Sequence, residues 1–239
     1  MERISLNGTW TLLYAPEKAG RADVYSPSLT DGWKTINAQV PGQAQLDLVN
    51  AGLMPDPFYG GNLHDFYEYE YYQWIYERPF TVPAGWQGDA LILRFDGIDT
   101  IADVYVNGQF AGHAANMMVE HKFDITDFVS WDRENTLSVH IHSAMNEARR
   151  REYTIGMRGT AHRNEICWLR KAPHCFGWDI APRLVTAGLW RSVSLERRKP
   201  TRIIETYYAC SKLGPDWIEL QYACRFETDR DTLRGSPWV

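Results

Sequence analysis

A sandwich or jelly roll of antiparallel strands is the fold class this sequence predicts, and three observations predict it. Apolar residues recur with period 2 over short runs, as where Leu137, Val139 and Ile141 alternate with Ser138, His140 and His142. Gly, Pro and Asn turns separate the runs. One of them is Asn107-Gly108, the strongest short hairpin signal, because both residues tolerate positive φ. Helical patterning is scarce, which leaves an all-β layered architecture.

The elements follow in order. Residues 43–51 read as a helix, entered after Pro41-Gly42 and stopped by Gly52. Residues 90–95 are a short apolar strand and 97–100 a turn. Residues 101–106 are a second strand, with Ala102, Val104 and Val106 on one face and Ile101, Asp103 and Tyr105 on the other. The Asn107-Gly108 turn returns the chain from Phe110 onward as the partner strand. Residues 123–129 turn into a short helical piece capped by Asp124 or Thr126. Leu137, Val139 and Ile141 mark a half-buried strand. Leu189, Val193 and Leu195 mark another, with Arg191 on the same face near its start. Two stretches, 56–72 and 149–184, carry no clear period. Long irregular segments in a compact domain are uncommon and usually functional.

After Lys199-Pro200 a new β pattern begins: Ile203, Glu205 and Tyr207 alternate with Ile204, Thr206 and Tyr208. Gly214-Pro215-Asp216 turns the chain and 217–226 forms a second strand. Two strands do not make an independently stable sheet. A second domain is therefore expected to start near residue 200 and to run past Val239, the chain being a fragment of a longer protein.

Composition narrows the function classes. The formal net charge is -5, and the basic clusters at 149–151 and 197–199 are short, which argues against a nucleic-acid surface. The first ten residues carry no apolar h-region, and no apolar run is long enough to span a membrane. A cytoplasmic protein is expected. The four cysteines show no C-x-x-C spacing; reduced thiols are the simplest reading, with a Cys167–Cys175 pairing left open. The 10 Trp, 13 Tyr and 9 Phe residues suit both a β-sheet core and a carbohydrate-binding surface.

The chemistry concentrates in Phe176-Gly177-Trp178-Asp179-Ile180-Ala181-Pro182-Arg183, which leads to Gly188-Leu189-Trp190-Arg191. An indole, a carboxylate and a guanidinium stand within a few residues, in a loop before a strand. Aromatic faces pack on the C–H side of a pyranose, and charged groups fix its hydroxyls, so that analogues lacking a hydroxyl are rejected. The same spacing also suits a structural loop, with Trp178 in a core and Asp179 paired to Arg183.

Five segments, taken in order, carry a family resemblance. They are Leu6-Asn7-Gly8-Thr9-Trp10; Val40-Pro41-Gly42 with Asp56-Pro57-Phe58-Tyr59-Gly60-Gly61-Asn62; the run from Phe95-Asp96-Gly97-Ile98-Asp99-Thr100 to Val106-Asn107-Gly108; Asn116-Met117-Met118 with Phe123-Asp124-Ile125-Thr126; and the 176–191 segment. Together they cover roughly residues 4 to 196. The chain resembles the N-terminal sugar-binding domain of glycoside hydrolase family 2, most of all its β-mannosidase-like branch.

The resemblance implies a galactose-binding-domain-like jelly roll over residues 1–199. It implies the first strands of an immunoglobulin-like sandwich, cut short, over 200–239. It further implies a (β/α)8 barrel, absent here, whose two carboxylates stand about 5–5.5 Å apart and act with retention. No catalytic residue is then expected in this chain, which alone should be inactive. Its role would be to shape the sugar pocket and brace its own C-terminal barrel. Trp178 and Asp179 are implied at the edge of the −1 subsite, Trp178 as a wall and Asp179 as acceptor for sugar hydroxyls. Asn62 is the nearest equivalent of an Asn that reaches the site in the β-galactosidase branch. Arg183 is implied to orient Asp179. The family's usual Trp-Gly after Trp-Asp is Ile180-Ala181 here. A terminal β-mannoside is the first expected substrate, with a β-galactoside or β-glucuronide as alternatives. A stand-alone carbohydrate-binding module and a structural interaction domain are the competing roles.

No cofactor and no metal site are expected. Asp96, Asp99 and Asp103 do not have EF-hand spacing, although a structural Ca²⁺ stays open. His140 and His142 have ligand-compatible i, i+2 spacing without a third ligand, and an exposed polar strand face is expected there. His162 and His174 are either pocket-lining or solvated loop residues, and Glu152 and Glu165 are acids without a visible partner.

Overall fold

The computed structural model describes residues 2–18, 25, 29–131, 133–151, 164–228 and 231. Glu152 and His162 lie outside them.

Two antiparallel sheets face each other across the core. The larger is built from β2 (Gly8–Pro16), β3 (Lys34–Val40), β4 (Tyr72–Phe80), β6 (Ile101–Val106), β7 (Gln109–Ala115) and β9 (Asn135–Ile141), in the order β3-β2-β4-β9-β6-β7. The smaller joins β1 (Arg3–Ser5), β5 (Ala90–Phe95), β8 (His121–Asp124) and β10 (Val193–Arg198) in the order β1-β10-β5-β8. One hydrophobic cluster takes Trp10, Leu12, Val104 and Val139 from the first sheet and Leu91, Leu93, Phe95 and Leu195 from the second. It forms because the period-2 pattern gives each strand one apolar face. The fold is the expected β-sandwich with few helices.

The strands at 90–95 and 101–106 stand where the periodicity puts them, and Ala102, Val104 and Val106 are fully buried. Asn107 and Gly108 have φ of 52° and 77°, which close the β6–β7 hairpin. Asn107 does more than turn. Its amide donates to the Phe128 carbonyl at 2.8 Å, and its Oδ1 accepts from the Thr136 N–H at 2.9 Å. The expected helix is α1 (Ala44–Asn50), and Gly52 follows at φ 70°. A 3₁₀ turn, Thr126–Phe128, has Ile125 rather than Asp124 or Thr126 at its N-cap; Asp124, one residue earlier, accepts from the Thr126 N–H through Oδ1 at 3.1 Å.

Three expectations need correction. β9 is buried on both faces: Ser138, His140 and His142 are covered, not solvated. Tyr25 and Glu77 hydrogen-bond to one another and to Ser138, and Trp33 meets His140 edge-on. The alternation read simple amphipathy because that cover is polar and aromatic. Second, the strand after the long loop begins at Val193, and Arg191 stacks on the Trp190 ring at 4.1 Å. Third, β11 (Arg202–Leu213) and β12 (Ile218–Glu227) pair as expected, but a bulge between Ile203 and Glu205 shifts the alternation there. This hairpin is a sheet of its own, with Tyr207, Tyr208, Leu220 and Phe226 exposed.

The four cysteines are unpaired, Cys167 exposed and Cys175 buried. Among the described residues no helix is long and apolar enough to cross a membrane.

Candidate functional site

The described parts of both irregular stretches, 56–72 and 164–184, fold into 3₁₀ turns and irregular segments. The first contains a 3₁₀ run, Asn62–Tyr71. The second follows α2 (Ala144–Arg149), whose first turn is capped by Ser143 Oγ accepting from the Asn146 N–H at 3.0 Å. It then makes a 3₁₀ turn, Pro173–Phe176, and a narrow turn at 178–181.

The narrow turn carries the expected sugar-facing pair. Gly177 has φ 90°, a conformation other residues rarely hold, and it swings the chain out of the 3₁₀ turn. The Trp178 N–H donates to the Ala181 carbonyl at 2.7 Å, and the Ala181 N–H returns to the Trp178 carbonyl at 3.2 Å. Asp179 and Ile180 therefore stand at the apex. Trp178 is 62% exposed and Ile180 96%. Asp179 is exposed, and among the described residues no side chain or backbone donor engages its carboxylate.

Arg183 does not pair with Asp179, contrary to both sequence readings. Its Nε donates to Glu70 Oε1 at 2.7 Å and its Nη2 to Glu70 Oε2 at 2.5 Å, a bidentate pair. Glu70 is buried, so its charge is less screened than that of an exposed Asp179 and attracts the guanidinium more strongly. The hydrogen bonds to Glu70 push the Arg183 pKa above the ordinary arginine range, against the opposing effect of burial. The pair ties the first irregular stretch to the second. Arg183 also lies 5.7 Å over the Phe176 ring.

Asn62 is half-buried and braces its own loop. Its Nδ2 donates to the Asp56 carbonyl at 2.9 Å, and Asp56 Oδ1 accepts from the Phe58 N–H at 2.9 Å. It makes no hydrogen bond to Trp178 or Asp179. That loop presents Phe58 and Tyr59, 75% and 77% exposed.

The other candidates resolve separately. His174 is exposed, and Glu165 has a partner, Arg149 at 3.5 Å. The three aspartates are not one site, because each has its own partners. Asp96 meets Arg94 at 2.8 Å, Asp99 meets Lys171 at 2.5 Å, and Asp103 meets His113 at 2.7 Å and His142 at 3.2 Å. His142 lies between Glu17 Oε1 at 3.0 Å and Asp103 Oδ2. Burial alone would lower its pKa; the hydrogen bonds and charges of Asp103 and Glu17 outweigh burial and raise it to about 9. His140, its ring 4.2 Å away, is pushed down to about 3 by burial and then by that charge. Burial works against ionisation of Asp103, but the two histidines hold its carboxyl well below the usual range.

Sequence reasoning missed Glu70, Asp99, Lys171 and Thr186. Asp99 read as a turn residue and Lys171 as part of an aperiodic stretch. Their ion pair spans 72 positions and leaves no local pattern.

Known proteins resemble this chain in sequence and fold. The family model described as glycosyl hydrolase 2 galactose-binding domain-like matches residues 17–191. The chain is similar to β-mannosidase B of Emericella nidulans, 34% identical over 172 residues, covering 70% of this chain and 20% of the relative. It is similar to the β-mannosidase of Mus musculus, 30% identical over 194 residues, covering 72% and 21%. Among solved structures, the β-D-mannosidase of Dictyoglomus thermophilum superposes with a TM-score of 0.75 at 30% identity, over 95% of this chain and 26% of that one. The β-glucuronidase of Ruminococcus gnavus, at 19% identity and a TM-score of 0.59 over 94% and 34%, shares the fold. The chain spans about a fifth of the length of the curated relatives it matches.

Proposed function

The chain belongs to the glycosyl hydrolase 2 galactose-binding domain-like family, and from that premise we propose that it serves a retaining exo-β-glycosidase acting on β-mannosides. It is a non-catalytic N-terminal domain of the β-mannosidase-like kind. In this reading residues 1–199 form the jelly roll and 200–239 begin an immunoglobulin-like sandwich. The acid/base and the nucleophile lie on a C-terminal barrel outside this chain. The jelly roll completes the barrel's pocket with the 178–181 turn.

One observation carries the reading. Asp179 and Trp178 stand on a projecting turn, and among the described residues no donor occupies the Asp179 carboxylate. An exposed indole beside an unpaired carboxylate offers a wall for a pyranose and an acceptor for its hydroxyls. Asn62, held by Asp56, stiffens the neighbouring loop and is not assigned a sugar contact.

The test is kinetic, on the protein as its gene encodes it, with nitrophenyl β-mannoside, β-galactoside and β-glucuronide. The wild type should prefer the β-mannoside. Asp179→Ala should lower kcat/KM by roughly two orders of magnitude, as expected from losing hydrogen bonds to a charged group worth about 1.5–3 kcal/mol each. Unchanged kinetics would reduce the turn to a structural contact. Inactivity on all three substrates would leave a binding module.

A further inference from the structure

We propose that Asp99, Lys171 and Thr186 are positioning residues that set where the Trp178–Asp179 turn stands. The proposal rests on the function given above for that turn.

The Lys171 and Asp99 side chains are both fully buried. Lysine has three donors, and all three are used here: Asp99 Oδ1 at 2.5 Å, the Thr186 carbonyl at 2.8 Å and Thr186 Oγ1 at 3.3 Å. Thr186 Oγ1 in turn donates to Asp99 Oδ2 at 2.7 Å, and Thr100 Oγ1 donates to Asp99 Oδ1. The Asp99 backbone exchanges hydrogen bonds with Gly188 at 2.8 and 3.0 Å. Lys171 immediately precedes the excursion that carries the turn, and Thr186 closes it. One carboxylate, set in the turn between two core strands, therefore holds both ends of the excursion.

Compactness does not require charge here. An apolar pair of similar volume would hold the fold as well or better. An ion pair with every donor and acceptor matched adds direction, fixing the two chain ends to one point and one orientation. Further out, the Leu184 N–H donates to the Cys175 carbonyl at 3.0 Å and Arg183 grips Glu70. Beyond those bonds the narrow turn projects. Among the described residues no donor engages the Asp179 carboxylate, so its place follows from the bonds that hold the excursion, with the clasp at its base.

Lys171→Met alone would strand a buried carboxylate and could fail to fold. Thr186→Val and the charge-neutral pair Asp99→Asn/Lys171→Met avoid that. The measurement is amide hydrogen exchange by mass spectrometry on the protein as its gene encodes it. Exchange at 173–185 should accelerate roughly tenfold or more while β2, β4 and β9 keep wild-type protection. In the same variants kcat/KM on a β-mannoside should fall by up to about 10²-fold, because a displacement of about 1 Å at a site can cost that much. The pH profile should stay unchanged. Unaltered exchange at 173–185, or equal acceleration in every strand, would overturn the proposal. A wild type inactive on β-mannosides would remove the function reading instead, and the exchange result would still decide whether the clasp positions the turn.

Discussion

Single residues were legible where their role is local and obscure where it depends on a distant partner. Trp178 and Asp179 read as loop residues, with a buried Trp178 as one alternative, and the structure puts them on an exposed turn. Arg183 was assigned to the nearest carboxylate in the chain, but it chose Glu70, 113 positions away and better shielded from water. Asp47 shows what such shielding costs. One of its oxygens accepts from the Gln39 N–H at 2.9 Å, the other has no partner, and burial pushes the pKa up to about 6. The folded state then holds this proton more tightly than the unfolded chain, so ionised Asp47 destabilises the fold above pH 6. Asp47→Asn keeps the acceptor and removes the charge. The variant should be more stable at pH 8 by on the order of 2 kcal/mol, and its advantage should shrink as pH falls from about 6 to 4. Thermal denaturation at the two pH values reads this directly, and equal melting temperatures at pH 8 would refute it.

At the scale of elements, periodicity found the strands and missed what covers them. β9 looks half-exposed by composition, yet its polar face holds His140 and His142 in a buried network. No spacing rule connects Glu17, Asp103 and His142, which come from β2's end, β6 and the residue after β9. The network makes a pH prediction. His142 has a folded pKa raised to about 9, above the ordinary value near 6.5. Its contribution is fully present below about pH 6.5 and is lost as pH rises through 9, a loss of about 2–3 kcal/mol. His140 acts in the opposite sense. Depressed to about 3, it withdraws stability as pH falls below about 6.5. Unfolding free energy should therefore decline between pH 6.5 and 9, and His142→Gln, though less stable at pH 6, should flatten that decline. A variant with the wild-type slope would show that the imidazolium is not its source. The two aperiodic stretches stand out by their length, but the internal order of their described parts was not readable. It rests on the Glu70–Arg183 pair and the Asp99–Lys171–Thr186 clasp, both long-range.

At the scale of the whole molecule, the sandwich closes its own core, and exposed apolar side chains stand outside it. Tyr207, Tyr208, Leu220 and Phe226 are exposed on the β11–β12 hairpin, Phe58 and Tyr59 on the first irregular stretch, and Trp178 and Ile180 on the narrow turn. Surfaces of this kind mark sites that meet another protein surface. The isolated chain should self-associate, and Phe58→Ser/Tyr59→Ser/Ile180→Ser should shift its sedimentation toward monomer; identical sedimentation would place the association elsewhere. The family relation was legible because its motifs lie in turns and strand ends, where local chemistry dictates the residue. The narrow turn divides the labour between frame and rim. Its bonds are made by backbone atoms of Trp178 and Ala181, so the side chain at position 180 holds nothing in place. A substitution there leaves folding nearly untouched while changing the face shown to a ligand. If the turn meets a sugar as proposed, position 180 is a point where selection can retune specificity at almost no risk to the scaffold, and the isoleucine found there is one setting of that dial.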